Sequence, residues 1–114
     1  MATGGWAVTE AGTEFAIVLC TAPPGGSEKI AKALVEERLA ACVNVSQVRS
    51  YFYWEGKSCD ETEELMIIKT EVRLVERLKA RIKELHSYEL PEIIIVPIAG
   101  GDERSLQWIS QSVG

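Results

Sequence analysis

With 114 residues, a quarter of them charged, the chain has the size and mix of one ordinary globular domain, able to bury roughly two-thirds of its unfolded surface. A net charge of −5 argues against a general polyanion binder, and no apolar run approaches the roughly 20 residues that cross a bilayer. Cys20, Cys42 and Cys59 are an odd set with no secretory signal ahead of them, so free thiols in a reducing cytoplasm are expected rather than a disulfide framework.

Residues 1–14 are small and polar and read as a loose arm; a single domain is expected over 15–114. Phe15 to Thr21 is a continuous apolar run, which predicts a strand covered on at least one face. Pro23-Pro24-Gly25-Gly26 ends it, and Ser27 is the expected N-cap of a helix whose stripe is Ile30, Ala31, Leu34, Val35 and Leu39. Cys42 to Trp54 predicts a long second strand. Its apolar parity switches between Val45 and Val48, so a β-bulge is expected near Ser46-Gln47. Glu55 to Ser58 turns the chain, and Glu64 to Thr70 returns as the hairpin partner. Leu74, Val75, Leu78, Ile82 and Leu85 stripe a second helix, Ile93 to Val96 is a short strand between prolines, and Asp102 caps a last helix. The order β-α-β-β-α-β-α spells an α+β, ferredoxin-like split βαβ unit with an added C-terminal helix. By analogy its antiparallel sheet runs fourth, first, third, second strand.

That topology gathers chemistry at one end of the sheet. Cys20 at the exit of the first strand, His86 at the exit of the second helix, and Tyr88, Glu89 and Glu92 before the fourth strand all belong there. The hairpin tip, with Cys59, points the same way, whereas Cys42 sits at the opposite end. A thiolate and an imidazole together suit copper or zinc, with Glu89 and Glu92 as weak oxygen ligands. They are two donors where a closed structural zinc site has four. A small buried cysteine and an imidazole at a helix C-terminus also have purely structural uses.

Tyr51-Phe52-Tyr53-Trp54 places aromatics on both faces of one strand. A chain this short has a single core, so Tyr51, Tyr53 and Trp54 are expected at a subunit interface. The basic residues Arg73, Arg77, Lys79, Arg81 and Lys83 read as a solvated helix face. The third strand carries no aromatic for base stacking, so no nucleic-acid partner is expected. With one histidine, no GxSxG elbow and no arginine in the loop after the first strand, no enzyme activity is expected.

Leu19-Cys20-Thr21-Ala22-Pro23, Leu39 to Asn44, Tyr53-Trp54-Glu55-Gly56-Lys57, Lys69-Thr70, the His86 to Pro97 segment, and Gly101-Asp102 with Leu106 and Trp108 occur in the order of one known pattern. In these residues the chain resembles the CutA divalent-cation tolerance proteins. The resemblance implies a cytoplasmic homotrimer joined through the long bulged strand, associated with metal tolerance and able to bind divalent copper. It further implies copper ligation by the cysteine after the first strand and two adjacent histidines. Cys20 and His86 match two of those positions, but Leu85 stands in place of the first histidine and Ser87 in place of the following proline. One nitrogen donor fewer implies modest affinity. The alternative function is a trimeric small-ligand sensing or scaffold module of PII-like architecture, which rests on fold analogy.

Overall fold

The computed structural model describes residues 14–114; the arm expected over 1–14 lies outside them except for Glu14. The first apolar run forms β1, Phe15–Ala22, with Ala16, Val18, Cys20 and Ala22 fully buried on one face. There follow α1 (Ser27–Glu36), β2 (Cys42–Trp54), β3 (Lys57–Glu71), α2 (Val75–Leu85, after one 3-10 turn), β4 (Ile93–Pro97) and α3 (Glu103–Ser112). The strands make one antiparallel sheet ordered β2-β3-β1-β4, the split βαβ order read in reverse. α1 and α2 cover one face of it. Ile30 and Leu34 of α1 and Leu78 and Ile82 of α2 meet Val18, Cys20, Met66 and Ile68 of the sheet there. Each fully buried Leu, Ile or Met contributes about 1.5–3 kcal/mol. At the rim of this core the buried Thr70 hydroxyl donates to the Leu39 carbonyl at 2.7 Å, tying the loop after α1 to β3.

Three expectations are corrected. No bulge interrupts β2, because its thirteen residues pair with β3 in one unbroken register from Cys42↔Lys69 to Trp54↔Lys57. The bulge was needed only if every apolar residue of β2 faced one core. The hairpin outruns that core, and from Val45 onward neither face is closed by a helix, so burial imposes no parity. β3 starts at Lys57 rather than Glu64, which makes the turn a two-residue one. Glu55 (φ 49°) and Gly56 (φ 78°) both take left-handed conformations, as a type I′ hairpin requires. Ser27 is the first residue of α1 rather than its cap; Gly26 holds the cap position without a side chain to offer. Asp102 does cap α3, accepting from the Arg104 N–H at 3.1 Å.

Candidate functional site

The end of the sheet where β1 exits is organised by His86. Its backbone N–H donates to Ile82 at 2.8 Å and its extended backbone ends α2. The ring then bridges two elements: Nε2 lies 2.7 Å from the Thr21 carbonyl, and the Tyr88 N–H donates to Nδ1 at 3.0 Å. A carbonyl only accepts, so the proton sits on Nε2 and the imidazole is neutral, with both nitrogens engaged. The Tyr88 ring packs against it, tilted by 42° at 4.8 Å between centroids, and the Tyr88 hydroxyl donates to Glu63 Oε2 at 2.7 Å. Glu63 is only 6% exposed. Burial, followed by the bond to Glu63, pushes the tyrosine hydroxyl above its usual range. Glu63 was not singled out by sequence, because no local pattern marks which residue of a Thr-Glu-Glu run will meet a tyrosine 25 positions away.

Cys20 lies beneath this network, fully buried, with Sγ 3.7 Å from the Thr21 carbonyl. Burial, reinforced by the charges of Glu92 and Glu63, pushes its thiol up to about 12. Metal ligation requires thiolate and a free imidazole nitrogen; in this conformation Cys20 is a protonated core residue and His86 has no free nitrogen. Glu89 and Glu92 are exposed, and of the two it is Glu92 whose charge acts on Cys20. Among the described residues no group of three or more His, Cys, Asp or Glu is placed to hold a metal ion. Cys59 stays out on the hairpin, five residues beyond the Ala22↔Glu64 pair, where β1 stops. Cys42 is level with Ile17, since both pair with Lys69, and it lies on the face opposite Cys20. The structure thus brings Cys20 and His86 to one end and keeps the other two cysteines apart from them.

The loop before α1 is closed from within. Glu64 of β3 accepts from the Gly25 N–H at 3.0 Å, the Ser27 N–H at 3.2 Å and the Ser27 hydroxyl. These bonds, the Ser27 hydroxyl first, hold its carboxyl below the usual carboxylate value. A helix N-terminus that would attract an anion is therefore taken by the chain's own carboxylate.

The hairpin carries the opposite character. Tyr51 and Tyr53 are about three-quarters exposed (74% and 75%) and Trp54 is 52% exposed. Strand alternation puts Phe52 and Trp54 on the sheet face that no pair of helices covers, together with Ile17, Leu19, Leu65, Ile67, Ile94 and Val96. All eight of these apolar side chains remain intermediate or exposed.

The model of the CutA1 divalent ion tolerance protein family matches residues 16–112. The chain belongs to that family. It is 44% identical over 100 residues to the divalent-cation tolerance protein CutA of Thermus thermophilus, a match that spans 86% of this chain and 97% of the relative. The solved structure of the Thermus thermophilus protein superposes with a TM-score of 0.83 at 42% identity, covering 88% of this chain and 99% of that one. A structure described as a PII-like CutA protein from Nostoc superposes with a TM-score of 0.77 at 36% identity, covering 87% and 97%. CutA membership accounts for the motifs from Leu19-Cys20-Thr21 to Trp108. In this CutA chain Thr70 closes the loop after α1, and His86 and Tyr88 clasp β1 and β3.

Proposed function

We propose that the chain acts without catalysis, as a cytoplasmic homotrimer that contributes to divalent-cation tolerance by binding the cation, copper foremost. The observation that carries the trimer is the uncovered apolar face with its aromatic hairpin, an arrangement that needs surface from neighbouring copies. The observation that carries the metal is family membership together with Cys20 and His86 at one end of the sheet. Copper reaches these two only when the thiol loses its proton and His86 releases Thr21 or Tyr88. Affinity is therefore modest and falls as pH drops, because protons compete with the metal for both donors. Glu89 and Glu92 are the nearby weak oxygen donors, and zinc is the second cation this pair suits. Calorimetric titration with Cu(II) tests the assignment. Leu85→His is expected to tighten binding, His86→Ala to weaken it and Cys42→Ser to leave the stoichiometry unchanged. If neither change at 85 or 86 alters the isotherm, the copper site is elsewhere. A second reading, a PII-like module that binds a small ligand between subunits, draws on the likeness to the Nostoc protein. The same preparation titrated with a metabolite panel separates the two.

A further inference from the structure

α3 is held to the rest of the subunit mainly at one end. Of its ten residues only Ile109 is buried, with Val113 just beyond it, while Glu103 to Ser105, Gln107 and Trp108 are exposed. A helix this short depends on tertiary contacts for its stability, and one buried residue supplies few of them. Polar anchors supply the rest. The Ser110 hydroxyl donates to Glu71 Oε2 at 2.6 Å. The guanidinium of Arg38 gathers the last carbonyls: Nη2 donates to Gln111 O at 3.0 Å and to Val113 O at 3.3 Å, and Nε donates to Ser112 O at 3.3 Å. Such carbonyls have no partner inside the helix and carry its partial negative charge, and α3 has no basic residue of its own in the last turn.

The backbone of Arg38 is unusual for an arginine. It is left-handed, at φ 59°, just past the end of α1, where its N–H donates to the Val35 carbonyl at 3.0 Å and the Leu39 N–H donates to Leu34 at 2.9 Å. Helices give this position to glycine, because a Cβ there is strained. Nothing within α1 offsets that strain. Among the described residues Arg38 enters no ion pair, and its guanidinium bonds only to carbonyls 73 to 75 positions along the chain. Its own carbonyl accepts from the Gly114 N–H at 3.0 Å, so backbone and side chain grip the same segment. We propose that Arg38 is a latch that fixes α3 against the subunit, and that α3 opens as a separate unit when the latch is broken. The lead-in, residues 99–102, is exposed and belongs to no helix or strand, so it can follow that movement. α3 is one wall of a cleft of about 440 Å³ lined by Lys69, Arg104, Ser105, Trp108 and Ile109; opening takes that wall away.

The test is amide hydrogen exchange on the full chain. Arg38→Gly removes the guanidinium while easing the left-handed backbone and keeping the Gly114 bond, so the variant retains the fold. Exchange of the α3 amides is expected to quicken at least tenfold, while α1, α2 and β1 keep or improve their protection. Arg38→Asn, which also tolerates this backbone but is too short to reach three carbonyls, is expected to behave the same way. If α3 exchanges at the rate of the unaltered chain in both variants, the side chain is no latch and the inference falls. If protection drops equally in every element, Arg38 supports the whole subunit, α3 is not a separate unit, and the inference falls as well.

Discussion

Val18, Cys20, Met66 and Ile68 on one face of the sheet are sealed by α1 and α2. On the other face Ile94, Val96, Phe52 and Trp54 remain 39–52% exposed. The same strands supply both sets by simple alternation, and their apolar character is similar. What differs is the partner. One face is finished by α1 and α2 of its own chain, and the other leaves its apolar residues partly exposed. Chemistry divides along the same line, since the buried Cys20 lies under the sealed face whereas Phe52 and Trp54 belong to the open one. An apolar residue therefore reports that it will be covered without saying by what.

The comparison breaks first at the sealed face. Leu78→Ala should cost about 2–5 kcal/mol of subunit stability, as large-to-small changes in closed cores do, and urea denaturation at fixed protein concentration reads it. On the open face, Trp54→Ala should weaken assembly by about 2 kcal/mol while circular dichroism shows an unchanged subunit. An equal loss of fold in the two variants would remove the distinction drawn between the faces.

Tyr88→Phe sharpens the boundary between the faces, because it takes the hydroxyl from the buried Glu63 and leaves that carboxylate without its donor. A loss on the order of 1–2 kcal/mol is expected, with the Thr21 contact of His86 retained. An unchanged melting curve would mean that water serves Glu63 as well. Glu64 provides the smallest effect and a pH signature. Its folded carboxyl lies below the ordinary value of 4.5, so its contribution is complete above that value and fades as pH falls through the lower folded one. Wild type should therefore exceed Glu64→Gln in stability at neutral pH, and the two should converge in acid. Parallel pH profiles would count against the cap.

Much of this was legible locally. The stripe Leu78, Ile82 and the run from Phe15 to Thr21 carry periods that only a helix and a covered strand satisfy, and Asp102 announces a helix start by its own side chain. The expected bulge is absent because parity is informative only where a strand faces one core, and the hairpin outruns that core. The site was half legible: Cys20 and His86 fall at one end by topology. The His86–Thr21 and Tyr88–Glu63 hydrogen bonds join residues 65 and 25 positions apart, and only the Tyr88 N–H bond to His86 is local.

The sequence by itself determined the elements, their order, the family and the meeting of Cys20 and His86 at the exit of β1. Propensity, period and turn chemistry act over a few residues, and a short linear string records them. Only the tertiary structure decided that Cys20 is a protonated core thiol, that Glu64 rather than Ser27 caps α1, and that the hairpin extends past the helices with both faces bare. Each of those outcomes is set by burial and by partners far along the chain, which exist only once the sheet has brought β1, β3 and α2 together.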